Sequence, residues 1–156
     1  FVNVKMSDKI MDFTKISVHD SKWLVPLREY FNNYDIIFDC TTDNEIANIL
    51  DKIDSNADIL NISLTNHAKH LVCIVKPNIY NWLCEVFRIL EEDKADLYNP
   101  TGCWSPTFKA SYNDICTLVQ FAIKTINYSY IKEKPLRSFY LTVCENDVIN
   151  IKIVQP

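Results

Sequence analysis

Residues 34–44 read YDIIFDCTTDN and contain the clearest indication of fold class in the sequence. Its apolar run over residues 35–39 is short and continuous, which predicts a strand that is buried on both faces. The polar residues Thr41, Thr42 and Asp43 follow at once and supply capping groups for a helix. A buried strand that runs directly into a capped helix is typical of an α/β sheet.

The rest of the chain continues this alternation of strands and helices. The apolar spacing predicts helices over residues 22–34, 45–53, 78–92 and 112–128, strands over 57–64 and 70–75, and a terminal hairpin over 138–144 and 148–154. We therefore expect one α/β domain over residues 1–156, with a Rossmann-like three-layer α/β/α fold. Its sheet should be mostly parallel and should end in an antiparallel hairpin.

Composition excludes several classes of protein. Apolar residues make up 48% of the 156 residues, which is enough for a sizeable core. The net charge is −4 and there is no basic run, so the sequence gives no support to nucleic-acid binding. No apolar run approaches the roughly 20 residues that span a bilayer. We expect neither a nucleic-acid partner nor a membrane partner.

The cysteines indicate a reducing compartment. There are six, none of them in a C-x-x-C pair, and four lie in apolar stretches: Cys73, Cys84, Cys116 and Cys144. This placement is typical of small buried thiols, so we expect a cytoplasmic protein without a disulfide framework or a four-cysteine zinc site. His67 and His70 form an H-x-x-H motif with no third ligand nearby, and we interpret them as surface histidines.

Gly102 is the only glycine in the sequence. A phosphate-binding turn such as G-x-G-x-x-G needs several glycines, because backbone N–H groups must approach the phosphates closely. The chain therefore cannot form such a loop by itself. Because it begins with Phe1 and not with methionine, we interpret its N-terminus as a cut.

The first candidate site lies at the end of the strand predicted over residues 35–39. In a doubly wound sheet, ligands bind at the carboxyl ends of the strands, beside the N-termini of the following helices. Four polar residues fall at such an end: Asp39, Thr41, Thr42 and Asp43. Carboxylates there can hold a Mg²⁺ ion that bridges nucleotide phosphates. The alternative is that Thr42 or Asp43 only caps the next helix.

The second candidate site is a polar loop, predicted over residues 93–111, that carries GCWSPTF at residues 102–108. Loops on a rigid scaffold often carry reactive groups. A nearby cation such as Lys109, or the N-terminus of the following helix, favours the thiolate form of a cysteine. Cys103 is therefore a candidate nucleophile. The alternative is a structural loop whose aromatic side chains contact the core.

Two parts of the sequence resemble one family. Residues 1–4 (FVNV), residues 35–41 (DIIFDCT) and residues 71–75 resemble the second half of an adenylation domain of the HesA/MoeB/ThiF superfamily. This superfamily includes ubiquitin-activating enzymes and activators of sulfur-carrier proteins. Residues 102–114, GCWSPTFKASYND, are more distinctive and resemble its bacterial ThiF-like branch. The resemblance spans most of the chain.

This resemblance implies an ATP-dependent enzyme. The whole protein would adenylate the C-terminal glycine of a ubiquitin-like or sulfur-carrier protein, and Asp43 or Asp39 would help to place Mg²⁺. ATP would bind beside Thr41 and Thr42, and Cys103 would then accept the partner as a thioester. A conjugating-enzyme-like domain is a further implied partner, and a homodimer is the implied assembly.

The sequence also departs from the family pattern. The family has an Mg²⁺-associated aspartate directly after D-C-T, whereas this chain has Thr42 there and Asp43 one position later. Either Asp43 takes that role through a local shift, or the metal-binding carboxylate is missing. The glycine-rich loop would lie before Phe1, so we interpret its absence as truncation and expect the isolated chain to be inactive. The alternative is a pseudo-enzyme. The zinc-binding cysteine pairs of many members are absent.

Two other functions are compatible with the residues. The main alternative is a non-catalytic, Rossmann-like protein-binding module whose contact surface is the aromatic loop at residues 98–108. A dehydrogenase-like fragment is less well supported, because a nicotinamide site also depends on the absent glycine-rich loop.

Overall fold

The described part of the chain contains four helices and five strands. The structure is a computed structural model, and it describes residues 21–41, 43–65, 68–90, 111–144 and 146–154. In chain order the elements are α1 (Ser21–Phe31), β1 (Ile36–Asp39), α2 (Asn44–Lys52), β2 (Asp58–Thr65), β3 (His70–Val75), α3 (Ile79–Leu90), α4 (Tyr112–Ile131), β4 (Phe139–Val143) and β5 (Ile149–Ile153). Every helix and strand predicted within these ranges is confirmed, but the prediction that β1 is buried on both faces is wrong. β1 has only one partner strand in the described sheet, and Phe38 is 41% exposed. The largest differences are at the ends of α1, which stops at Phe31, and α4, which continues to Ile131.

The strands form one sheet in the order β1-β2-β3-β4-β5, and only the β1–β2 pair is parallel. The other three pairs are antiparallel, so the expectation of a mostly parallel sheet is wrong, whereas the antiparallel terminal hairpin is confirmed. The physical reason is a short connection. Only residues 66–69 separate β2 from β3, and a parallel crossover needs a dozen or more residues. The fold is therefore α/β with a mixed sheet.

Helices cover both faces of the sheet. On β2, Ile59 belongs to a core cluster with residues of α1, α2 and α3, whereas its neighbour Leu60 belongs to a second cluster with residues of α4. The same alternation continues on β3, where Val72 and Ile74 join the first cluster and Cys73 joins the second. These side chains are all buried, so the central strands have an apolar core on each face.

α4 runs along the sheet from the end at which β1 and β2 terminate to the end at which they begin. Near its start, Asp114 lines a cavity of about 430 Å³ together with Lys69 and Val143. Near its end, the Tyr130 hydroxyl donates a 2.6 Å hydrogen bond to Asp58 Oδ2 at the start of β2. The N-terminus of α4 therefore lies at the sheet edge where the first candidate site is found. Neither α4 nor any other described helix is long and apolar enough to cross a membrane.

Candidate functional site

The turn after β1 lies at the carboxyl end of that strand, opposite the middle of its parallel partner β2. The strand register places Asp39 directly opposite Asn61 of β2. Asp39 is buried, with 5% of its surface exposed, whereas Thr41 and Asp43 are exposed. The structure thus brings three residues of the first candidate site to one turn, at the edge where ligands bind in open α/β sheets. Thr42 lies outside the described residues.

Three hydrogen bonds within the described residues hold the Asp39 carboxylate. Its Oδ1 accepts from the Thr41 backbone N–H at 3.0 Å and from the Thr41 hydroxyl at 2.7 Å. Its Oδ2 accepts from the Asn61 side-chain amide at 2.8 Å. Because both oxygens have donors, the hydrogen bonds offset the loss of water that burial imposes on this group.

Asp43 is the N-cap of α2. Its Oδ1 accepts from the backbone N–H groups of Glu45 at 2.8 Å and Ile46 at 3.4 Å, and its backbone is extended, as N-cap residues require. The prediction that Thr42 or Asp43 caps this helix is therefore confirmed for Asp43. Both bonds fall on one carboxylate oxygen of an exposed side chain, so capping is compatible with a second ligand on the other oxygen.

No protein-only metal cage forms in the described ranges. No group of three or more His, Cys, Asp or Glu side chains is close enough there to hold a metal ion. Mg²⁺ in nucleotide sites usually needs only one or two carboxylates, because phosphates and waters complete its shell. An exposed Asp43 oxygen fits that donor set, and its assignment as the metal-binding residue stays a prediction.

The cysteines next to the turn are poor nucleophiles. Cys40 is exposed as a residue, but partial burial of its thiol, and then the charge of Asp39, raise its pKa. Burial, and then the charge of Cys40, raise the pKa of Cys73 to about 12. Both shifts disfavour the thiolate, which is the reactive form. Cys103 lies outside the described residues, so its assignment as a nucleophile also stays a prediction.

The predicted burial of four thiols is confirmed for one of them. Cys73 is buried, Cys84 is exposed, and Cys116 and Cys144 are intermediate. The interpretation of His70 as a surface residue is wrong, because 1% of it is exposed and its Nδ1 lies 3.0 Å from the Thr142 hydroxyl. His70 begins a central strand opposite Thr142, which is why it is buried.

Sequence reasoning missed Asn61 and Ser63, which extend the site along β2. Both are buried, and the Ser63 hydroxyl donates to Asn61 Oδ1 at 2.8 Å. The signal was in the sequence. Two polar residues alternate with isoleucine and leucine in a strand buried on both faces, and buried polar groups require hydrogen-bond partners.

Comparison with known proteins leaves the family open. No protein-family model matches this sequence, and a search of curated proteins gives no match.

Proposed function

We propose that this chain is part of an ATP-dependent activating enzyme that adenylates the C-terminus of a ubiquitin-like or sulfur-carrier protein. One observation carries the proposal. β1 ends in a turn organised around the buried Asp39, and the exposed Asp43 follows at the N-terminus of α2. The turn lies at the carboxyl end of β1, which pairs in parallel with β2, and a Rossmann-like adenylation fold would bind its nucleotide at such a strand end.

The proposed chemistry has two steps. The partner's C-terminal carboxylate attacks the α-phosphorus of ATP, forming an acyl-adenylate and releasing pyrophosphate. The Cys103 thiolate then attacks the acyl carbon, a thioester bond forms, and AMP leaves with the electron pair of the broken C–O bond. When bound, Mg²⁺ would neutralise charge on the phosphates. Asp43 would hold it, while Asp39 and Thr41 would keep the turn in place.

The path of the chain supports a role for Cys103 in the second step. Seven residues separate Cys103 from Ser111, the N-cap of α4. The first turns of α4 lie at the same sheet edge as the Asp39 turn. The chain therefore enters α4 from the end of the sheet at which β1 and β2 also end, which is compatible with a transfer from adenylate to thiol.

A thioester assay tests this function. The protein is expressed from its complete reading frame, incubated with ATP, Mg²⁺ and candidate ubiquitin-like proteins, and analysed on a non-reducing gel. The expected result is a thiol-sensitive adduct that is lost in Cys103→Ser and retained in Cys84→Ser, which replaces an exposed cysteine on α3. Absence of an adduct, together with absence of ATP–pyrophosphate exchange, would favour the non-catalytic binding module instead.

A further inference from the structure

The side chains of Asn61 and Ser63 form a buried chain of hydrogen bonds with Asp39. Asn61 is 1% exposed and Ser63 is 5% exposed. Ser63 Oγ donates to Asn61 Oδ1 at 2.8 Å, and Asn61 Nδ2 donates to Asp39 Oδ2 at 2.8 Å. The chain continues through Asp39 Oδ1 to the Thr41 N–H and hydroxyl. It thus connects the interior of β2 to the turn that leads into α2.

The direction of these bonds is fixed by chemistry. Asp39 accepts two bonds from Thr41 and can only accept from Asn61, so the Asn61 amide must present its N–H₂ group to Asp39. The carbonyl oxygen of Asn61 then faces Ser63, whose hydroxyl supplies the donor it needs. In each bond along this chain a donor therefore faces an acceptor. Replacement of one side chain by its acid or amide counterpart leaves two acceptors or two donors facing each other.

From this geometry we propose that Asn61 and Asp39 are a positioning pair: their hydrogen bonds, and not the charge at residue 39, hold Thr41 at the end of β1. Asp39 then acts through Thr41 and does not ligate the metal itself. The effect of this pair on catalysis rests on the proposed function. The placement of Thr41 at the end of β1 rests only on the four hydrogen bonds.

A reciprocal exchange of the two residues tests the proposal. In Asp39→Asn with Asn61→Asp, the new amide at position 39 still accepts from Thr41 and donates to the new carboxylate at position 61, whose second oxygen still accepts from Ser63. All four hydrogen bonds survive, and only the position of the negative charge changes. Asn61→Asp alone places two carboxylates at hydrogen-bond distance, whereas Asp39→Asn alone is milder, because Asn61 can turn over at the expense of its bond from Ser63.

The first readout is the melting temperature. We expect Asn61→Asp to lower Tm by about 5 °C or more, and the double variant to melt within about 2 °C of the wild type. The matched control exchanges Asp54 and Asn56, two exposed residues, and should leave Tm unchanged. A double variant that is no more stable than Asn61→Asp would overturn the proposal. If Asn61→Asp does not fold, comparison of the double variant with the wild type decides.

The second readout is ATP–pyrophosphate exchange by the complete protein. Relative to Asn61→Asp, the double variant should have a kcat for exchange at least about tenfold higher, because its four hydrogen bonds are restored. Ser63→Ala, which only loosens Asn61, should raise KM by about threefold with kcat unchanged, while Ser129→Ala on α4 should change neither. A stable double variant whose kcat falls about 100-fold would overturn the proposal, because Asp39 would then act on the nucleotide directly. If the wild type shows no exchange, the proposed function fails. The Tm values alone then test whether Asn61 and Asp39 are a positioning pair.

Discussion

Asp51 holds the N-terminus of α3 from the neighbouring helix α2, and its replacement tests how the first core is assembled. Asp51 Oδ1 accepts from the Ile79 backbone N–H at 2.9 Å, and Oδ2 accepts from the Tyr80 N–H at 3.1 Å. These two groups belong to the first turn of α3, where N–H groups have no partner within the helix. Ile79 is fully buried, so water is a poor substitute for the carboxylate there.

The magnitude follows from the two roles of this side chain. Loss of a helix cap costs about 0.5–2 kcal/mol, and loss of a negative charge at a helix N-terminus costs a further 0.3–1 kcal/mol or so. We expect Asp51→Ala to lower the free energy of unfolding by about 2 kcal/mol and Tm by roughly 4–8 °C. Asp51→Asn keeps one acceptor oxygen, so its loss should be about half as large.

Urea denaturation followed by circular dichroism measures this loss. The matched control is Asp54→Ala, whose side chain is 96% exposed and lies 4.0 Å from Arg28. Such an exposed pair contributes less than about 0.5 kcal/mol. If Asp51→Ala is no more destabilising than Asp54→Ala, the carboxylate does not hold α3 and the reasoning is refuted.

Three further predictions concern the second core and its surroundings. Tyr130→Phe removes the hydroxyl that donates to Asp58, and it should cost about 1 kcal/mol in urea denaturation, since the pair is partly exposed; no measurable loss would contradict this bond. Leu118→Ala empties a fully buried position on α4 and should cost about 3 kcal/mol, whereas a loss below 1 kcal/mol or so would show that the core is not packed there. Burial, and then the charge of Cys40, raise the pKa of Cys73 from 9.0 to about 12, so its neutral thiol adds stability that is complete below pH 9 and is lost as the pH rises towards 12. Denaturation across that range should show a smaller loss for Cys73→Ala than for the wild type, and equal losses would contradict the shift.

The helices and strands could be predicted from the sequence because their signals are local. The apolar spacing of α3 and the continuous apolar run of β3 depend only on neighbouring residues. The relative direction of two strands is not a local property. It depends on whether the connection between them stays at one end of the sheet or crosses to the other. The short link over residues 66–69 is a local sign that β2 and β3 are antiparallel, but the alternation of strands with helices favours a parallel sheet.

The site could be predicted only in part. The capping role of Asp43 follows from its position before an apolar helix, so sequence reasoning reached it. Asn61 lies 22 residues from Asp39 in the chain, and only the register of β1 against β2 brings the two together. Likewise, His70 is buried because Thr142 lies opposite it on β4, a pairing that no local pattern contains.

Asp43→Asn separates a nucleotide site at this turn from a helix cap alone, because asparagine caps a helix as well as aspartate but carries no charge. The measurement is ATP–pyrophosphate exchange by the complete protein with its partner, alongside Tm. The account predicts an unchanged Tm and a loss of exchange of about 100-fold, since the Mg²⁺-placing carboxylate is gone. Wild-type exchange in Asp43→Asn, with an unchanged Tm, would show that the residue is only a helix cap and would contradict a nucleotide site at this turn.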